Sequence, residues 1–293
     1  MSSGSGIWWE AARPRTLPAA VAPILVGMGA AVAEGALRPL VLGAILLAAV
    51  AIQIGTNFVN DWGDFQRGAD GADRQGPRRA VSAGDISPRT MLRAGLGAFA
   101  LAALVGLYLI GVGGWPIVWI GLLSILSGIA YTAGPLPLAY IGLGDLFVFV
   151  FFGPVAVLGT EWLMIDQLTI AGAVGSIAVG ALATAILVVN NIRDVDGDRE
   201  VGKKTLIVRR GVIWGRKFYL FLIVVAFACP PLLVVCGVAS PAVLLSWLAM
   251  RMARSPLALG RQDGAGRALN GALAETARLQ LVFSALFALG LLL

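Results

Sequence analysis

The segment PLVLGAILLAAVAIQIGTNFVNDWGD, residues 39–64, joins a long apolar run to a strongly polar end. The apolar part, Pro39–Val59, is long enough to cross about 30 Å of hydrocarbon at a helical rise of about 1.5 Å per residue. Its polar end carries the amide and carboxylate side chains of Asn57, Asn60, Asp61 and Asp64. Carboxylates beside hydrocarbon are costly unless a cation compensates them. The segment therefore predicts a membrane helix that ends in a functional site.

The rest of the chain is equally apolar. Its 293 residues are 58% hydrophobic and only 13% charged, with a mean hydropathy of +0.87, and these values exclude a soluble domain. We predict an all-α integral membrane protein with about nine transmembrane helices around a central cavity, open to the cytoplasmic side and to lipid. No linker or removable signal peptide is expected, so residues 1–293 are predicted to form a single domain. The predicted spans are Leu17–Val32, Pro39–Val59, Thr90–Val112, Trp115–Tyr131, Leu143–Leu163, Leu168–Ile192, Phe218–Cys236, Pro241–Met250 and Ala272–Leu293.

The positions of the positive charges predict the orientation of these spans. If the chain crosses the membrane nine times, nearly all Lys and Arg residues lie on one side of the membrane and Arg38 lies on the other. The positive-inside rule then puts the N-terminus and the even-numbered loops in the cytoplasm and the C-terminus outside. The net charge of +6 thus indicates topology and contact with anionic membrane lipids, and it predicts neither a nucleic-acid partner nor an obligate protein partner.

A second polar cluster follows another apolar run and matches the first. It comprises Asn190, Asn191, Asp194, Asp196 and Asp198. In each cluster several of these residues recur at spacings of three, four and seven, so each cluster predicts one polar stripe on a helix. One such cluster alone is also typical of loop residues at the membrane interface. Two clusters that share their composition, their helical spacing and their side of the membrane favour a paired site. Mg²⁺ takes oxygen ligands and leaves part of its shell to substrate phosphates, so we expect Mg²⁺ and a diphosphate.

Basic residues follow both clusters, and we predict that they bind the non-bridging oxygens of the diphosphate. These residues are Arg67, Arg74, Arg78 and Arg79 after the first cluster, and Arg193, Lys203 and Lys204 in or after the second. Topology control is the alternative role for any one of them. The chain has no His, which excludes histidine catalysis. We interpret Cys229 and Cys236 as packing residues, because their spacing fits no metal site.

The two clusters also carry a family resemblance. Asn60-Asp-Trp-Gly-Asp64 resembles the NDxxD motif, and Asp194-Val-Asp-Gly-Asp198 the DxxxD motif, of the UbiA superfamily of intramembrane prenyltransferases. One departure is Gly68, where the wider family often has a further Asp. Other segments resemble the 1,4-dihydroxy-2-naphthoate prenyltransferases of menaquinone synthesis. They are RPRTLP at residues 13–18, DRQGPRR at 73–79, YTAGPLP at 131–137 and GLGDLF at 142–147.

The resemblance implies an enzyme of the bacterial cytoplasmic membrane. It implies Mg²⁺-dependent transfer of a polyprenyl group from polyprenyl diphosphate to dihydroxynaphthoate, with loss of CO₂, giving demethylmenaquinone. It further implies that Asn60, Asp64, Asp194 and Asp198 hold Mg²⁺, with Asp61 in support. Tyr131 joins Asp64, Asp194 and Asp198 as a predicted catalytic residue because it could stabilise the allylic cation or orient a substrate, although an interfacial aromatic role is the alternative.

The acceptor is expected to meet a second set of polar residues. Arg13 could bind its carboxylate, or serve only as a topology signal. Asp145 could be a polar contact of the acceptor, or a helix cap. Asn57, Asn190 and Asn191 complete the predicted acceptor-binding set.

Two other functions stay open at this point. The same chemistry could use another acceptor, such as 4-hydroxybenzoate, homogentisate or a lipid alcohol. A cation-coupled transporter would also keep acidic residues in the membrane, but that class places them near the bilayer midplane, whereas both clusters here lie at one face.

Overall fold

A computed structural model describes residues 4–69, 75–253, 266 and 268–293 as a helical bundle. Long helices make up most of the described chain, and short helices and loops connect them. The α-helices are α1 Gly4–Ala12, α2 Leu17–Ala33, α3 Pro39–Gln66, α4 Pro88–Gly113, α5 Trp115–Ala130, α6 Leu138–Ile141, α7 Gly144–Val150, α8 Ala156–Ile165, α9 Ile170–Arg193, α10 Val195–Glu200, α11 Leu206–Arg210, α12 Val212–Val235 and α13 Leu269–Leu292. Three other helical elements are a 3-10 turn at Pro14–Thr16, a π turn at Phe151–Val155 and a 3-10 helix at Pro241–Ala253.

Within the described residues, seven helical segments are long and apolar enough to cross a membrane. The chain is thus a multi-pass membrane protein. The predicted fourth and eighth spans coincide with shorter apolar helices, Trp115–Ala130 and Pro241–Ala253. The second of these is a 3-10 helix, and at about 2 Å per residue its 13 residues rise about 26 Å, further than an α-helix of that length would. The prediction of nine crossing helices therefore remains a prediction.

Helix α9 lies at the centre of the bundle and packs against α2, α7, α12 and α13. It can do so because its buried face is built from small residues, including Ala178, Gly180, Ala181 and Ala185. Small side chains let helix backbones approach closely, and in lipid this packing is a main source of helix association. Since α9 ends at Arg193, the central helix carries the second polar cluster to one end of the bundle.

The π turn at Phe151–Val155 interrupts the fifth predicted span beside α9. Pro154 lies inside the turn, and the lack of its backbone N–H explains why a regular α-helical ladder cannot continue there. Gly153 faces α9 so closely that a Cβ on it would lie 2.6 Å from the carbonyl oxygen of Ser176 and 2.9 Å from Cα of Gly180. The contact between these two helices therefore requires glycine at position 153.

Candidate active site

The first polar cluster lies on the last turns of α3, as its spacing predicts, but its members point to different neighbours. All four side chains are buried. Asn60 and Asp64 line a cavity of about 1000 Å³, whereas Asn57 and Asp61 do not. Asp61 accepts hydrogen bonds from the backbone N–H groups of residues 80 and 81, at 3.1 and 3.3 Å. It thereby fixes the backbone beside Arg79, which lines the cavity.

Asn57 has a similar supporting position at the N-terminal segment. Its amide donates to the carbonyl oxygen of Ala12 at 2.9 Å and to Oγ1 of Thr16 at 3.2 Å. Between these two partners lies Arg13, whose φ of 54° places it in the left-handed region that non-glycine residues rarely adopt. Arg13 lines the cavity. Asn57 thus holds the turn that presents Arg13, and the structure does not bring Asn57 itself to the cavity.

Asp64 contacts three polar side chains at the end of α3. Arg79 Nη2 donates to its Oδ2 at 2.6 Å, and this ion pair is almost fully buried. The hydroxyl of Tyr140 donates to its Oδ1 at 3.3 Å, and Lys203 Nζ lies 3.7 Å from the same oxygen. The neighbouring Asn60 accepts a hydrogen bond from Thr132 Oγ1 at 2.8 Å. These contacts set both side chains at the cavity wall before any ligand arrives.

In the second cluster, Arg193 is the organising residue. Its guanidinium donates to both carboxylate oxygens of Asp194, at 2.8 and 2.6 Å, and to Oδ1 of Asn190 at 2.7 Å. A fourth hydrogen bond runs to Oδ1 of Asn270 at 3.0 Å. Because so many of its donors are engaged within the protein, the role of Arg193 in this structure is to orient Asp194 and Asn190.

Lys203 brings the two clusters together. Its ammonium lies 3.2 Å from Asp198 Oδ1 and 3.7 Å from Asp64 Oδ1, so one cation contacts an acid from each cluster. Asp198 is buried, and burial raises its pKa above the ordinary value, while Lys203 acts in the opposite direction. The sequence predicts that the two clusters form one paired site, and the structure places Asp64 and Asp198 together at one cavity.

The donor set of this cavity suits Mg²⁺. Asn60, Asp64, Asp194 and Asp198 offer amide and carboxylate oxygens from both clusters, and Mg²⁺ needs only one or two such carboxylates besides water and phosphate. Among the described residues, no group of three or more His, Cys, Asp or Glu is close enough to hold an ion. The acids instead pair with Arg79, Lys203 and Arg193.

The predicted diphosphate-binding cations divide into three groups. Arg78, Arg79, Arg193 and Lys203 line the cavity. Arg67 and Lys204 do not: Arg67 donates to the carbonyl oxygens of Thr132 and Gly134, and Lys204 is exposed. The third group is Arg74, which lies outside the described residues.

Four of the predicted aromatic and acceptor-binding residues line the cavity, and two do not. Tyr131, Asn190 and Asn191 line it together with Arg13. Asp145 does not line the main cavity but lies beside a second, water-sized one of about 10 Å³, which Tyr131 and Asn191 also border. Its Oδ1 is buried and makes no hydrogen bond in the structure.

Three residues of the site were not predicted from the sequence. Thr132 donates a hydrogen bond to Asn60 and Tyr140 donates one to Asp64. Asn270 joins Arg193 to the loop after α3 through a hydrogen bond to the carbonyl oxygen of Gln75 at 3.2 Å. Thr132 and Tyr140 lie in or next to the helix-breaking segment that begins at Tyr131, and that position was the available signal. Asn270 precedes the last apolar run as a single amide, which is too weak a signal to single out.

Comparison with known proteins gives the same assignment at several levels. The chain matches the UbiA prenyltransferase family over residues 20–265. It is 41% identical over 230 residues to a 1,4-dihydroxy-2-naphthoate octaprenyltransferase of Escherichia coli (strain K12), covering 76% of this chain and 74% of the relative. A protein of the same name from Haemophilus influenzae is 37% identical over 298 residues, covering 98% and 96%.

The fold agrees as well. A solved structure of a UbiA homolog from Archaeoglobus fulgidus, bound to GPP and Mg²⁺, aligns with a TM-score of 0.67 at 15% identity and covers 98% of this chain and 99% of that one. At this identity the likeness concerns the fold alone. Sequence motifs, helical architecture and relatives of nearly full length all agree, and the chain belongs to the UbiA prenyltransferase family.

Proposed function

We propose that the protein transfers a polyprenyl group from polyprenyl diphosphate to 1,4-dihydroxy-2-naphthoate in menaquinone synthesis. The observation that carries this proposal is the contact of one ammonium, that of Lys203, with Asp64 and Asp198 from the two motifs. A site with acids and cations from two helix ends around one cavity can bind a metal–diphosphate group. The relatives named for this reaction support the choice of acceptor.

In this proposal Asn60, Asp64, Asp194 and Asp198 would hold Mg²⁺, which when bound would supply positive charge next to the diphosphate. Asp61 supports them by fixing the backbone beside Arg79. Arg78, Arg79 and Lys203 line the cavity and bind the non-bridging oxygens. Arg193 contributes by holding Asp194 and Asn190 in place.

Ionisation breaks the bond between the allylic carbon and the diphosphate oxygen, and both electrons leave with the diphosphate. The acceptor ring carbon that carries the carboxylate then bonds to the allylic carbon. Cleavage of the carbon–carboxylate bond releases CO₂ and returns its electron pair to the ring, which restores aromaticity. The product is the reduced form of demethylmenaquinone. No His is needed, because CO₂ rather than a ring proton is lost.

The acceptor side of the cavity supplies orientation. Arg13 binds the carboxylate of the naphthoate, and Asn57 holds the turn that presents Arg13. Tyr131 lines the same cavity, where its hydroxyl and ring can contact the acceptor or the allylic cation. Asn190 and Asn191 line the cavity and provide further polar contacts, while Asp145 lies beside the smaller cavity that Tyr131 and Asn191 also border.

We place the protein in the bacterial cytoplasmic membrane, with the N-terminus and the cavity facing the cytoplasm and the C-terminus outside. The distribution of Lys and Arg supports this orientation. Bacterial relatives named for the same reaction support the location.

The test is an assay of the purified protein with labelled polyprenyl diphosphate, Mg²⁺ and a panel of aromatic acids that includes 4-hydroxybenzoate and homogentisate. We expect prenylation of the naphthoate, with pyrophosphate and CO₂ released in equal amounts. Chelation of Mg²⁺ should stop the reaction, and its return should restore it. A prenylated product that keeps a labelled carboxylate would contradict the decarboxylating route, and preference for another acceptor would contradict the choice of naphthoate.

Arg13→Ala should raise KM for the naphthoate about 10- to 100-fold, because a charge-assisted hydrogen bond to a carboxylate contributes about 1.5–3 kcal/mol. KM for polyprenyl diphosphate should stay within about twofold of the wild-type value. Arg89→Ala, at an exposed arginine away from the cavity, is the matched control. Inhibition by 1,4-naphthalenediol, which lacks the carboxylate, should be the same for Arg13→Ala and the wild type. An unchanged KM for the naphthoate would disprove this role of Arg13.

A further inference from the structure

Tyr140 lies where three segments meet, all of which face the cytoplasm in the proposed orientation. It is on α6, the short helix between α5 and α7, and its side chain is half-buried. Its hydroxyl donates to Asp64 Oδ1 at 3.3 Å, and its carbonyl oxygen accepts a hydrogen bond from the backbone N–H of Lys204 at 2.8 Å. Tyr140 therefore connects α6 both to the end of α3 and to the segment after α10.

The ring of Tyr140 contacts two cations at once. The guanidinium carbon of Arg67 and the ammonium of Lys203 each lie 5.1 Å from the ring centroid, within the range of cation–π attraction. Two like charges this close to one side chain repel each other unless their surroundings compensate them. The π-electrons of Tyr140 and the carboxylate of Asp64 supply that compensation.

The position of the Lys203 ammonium depends on the groups around it. A lysine side chain is long and flexible, and its ammonium is a point charge without a fixed fork of donors. Here it contacts Asp64, Asp198 and the Tyr140 ring. The two carboxylates attract the ammonium, and the ring limits where along them it can lie. The Tyr140 ring is thus an apolar surface beside the Lys203 ammonium.

We infer that Tyr140 is a positioning residue that holds Lys203 at the junction of the two acidic motifs and so sets the affinity for the prenyl diphosphate. The inference rests on the proposed function, in which Lys203 binds the diphosphate. Arg67, on the same ring, ties the segment after α3 to the carbonyl oxygens of Thr132 and Gly134 and keeps α6 against the site.

The ring and the hydroxyl of Tyr140 make separable contributions. The hydroxyl donates to Asp64 Oδ1 at 3.3 Å, whereas the ring faces Arg67 and Lys203. Tyr140→Phe removes this donor but keeps the ring beside Arg67 and Lys203. Tyr140→Leu removes both and leaves an apolar side chain of moderate size.

The experiment measures binding of an unreactive prenyl thiolodiphosphate with Mg²⁺ in the absence of acceptor, and then steady-state turnover with the naphthoate. For Tyr140→Leu we expect the dissociation constant of the thiolodiphosphate and the KM for polyprenyl diphosphate to rise about tenfold. The KM for the naphthoate should stay within about twofold of the wild-type value. For Tyr140→Phe we expect at most about a threefold change. Tyr108→Leu, at an exposed tyrosine on α4, should change neither.

A double-mutant comparison identifies Lys203 as the partner. Tyr140→Leu should weaken diphosphate binding little further when Lys203→Ala is already present, since both changes remove the same interaction. Fully additive effects would overturn the inference, and so would equal impairment by Tyr140→Phe and Tyr140→Leu. A wild-type protein that binds the thiolodiphosphate but does not prenylate the naphthoate would contradict the proposed acceptor and leave this binding test intact.

Discussion

Asp64→Ala is expected to lower the rate of prenyl transfer by about 10³-fold or more. Asp64 is a proposed Mg²⁺ ligand, and losing one group that stabilises developing charge in a preorganised site costs about 10²–10³-fold by itself. The change also removes the partner of Arg79 and one of the two carboxylates that contact Lys203. The measurement is initial rate against Mg²⁺ concentration, with naphthoate and polyprenyl diphosphate saturating.

Stability has to be separated from chemistry in this variant. The Arg79–Asp64 pair is buried, and breaking such a pair by removing one partner costs about 3–5 kcal/mol. Asp64→Asn keeps the shape of the side chain and one carbonyl oxygen, so it is the more informative change. Asp166→Asn is its control, because Asp166 is exposed, lies in the loop between α8 and α9, and has a left-handed backbone that Asn also tolerates.

We expect Asp64→Asn to remain folded at the assay temperature, with a thermal midpoint below that of Asp166→Asn because a buried ion pair is lost, and to show the same large loss of activity. If Asp64→Asn instead turned over at the wild-type rate with wild-type Mg²⁺ dependence, the metal assignment would be wrong.

Gly153→Val is expected to destabilise the protein by about 3 kcal/mol or more, the upper part of the range for overpacking. The new side chain would collide with the backbone of α9, since even a Cβ at this position lies 2.6 Å from the Ser176 carbonyl oxygen and 2.9 Å from Gly180 Cα. A backbone obstacle cannot rotate away as a side chain can. We expect the thermal midpoint in detergent to fall by roughly 5–10 °C.

The matched control for this prediction is Gly106→Val on α4. A Cβ on Gly106 has no atom within 4 Å, so this variant makes the same change of side chain without the collision. Equal thermal midpoints for the two variants would show that the contact of the π turn with α9 is not tight in the membrane protein. Because α9 also carries Asn190 and Asn191 into the cavity, the activity that remains in Gly153→Val should be lower than that of the control.

The sequence was a good guide to the parts of the site that depend on helix periodicity. The spacing of Asn60 and Asp64 predicts a shared helix face, and both side chains line the cavity. The same spacing also groups Asn57 and Asp61 with them, yet these two bind residues 12 and 16 and residues 80 and 81. Periodicity fixes the direction of a side chain, but not which distant segment covers it.

The basic residues show a related limit. Arg67 and Arg79 both follow the first motif, and local sequence does not distinguish them. Arg79 reaches Asp64 because Asp61 holds the backbone beside it, whereas Arg67 turns towards the carbonyl oxygens of Thr132 and Gly134. The fourth and eighth predicted spans form shorter apolar helices than the other spans. Their lengths depend on packing and on helix type, and hydropathy alone contains neither.

The left-handed backbone of Arg13 has a consequence for engineering the range of aromatic substrates. Glycine and asparagine adopt that conformation at little cost, while β-branched residues resist it. A library at position 13 should therefore be weighted towards glycine, asparagine and aspartate. Variants of that kind would change the shape and charge of the pocket for the acceptor while the main chain from Glu10 to Thr16 keeps its course.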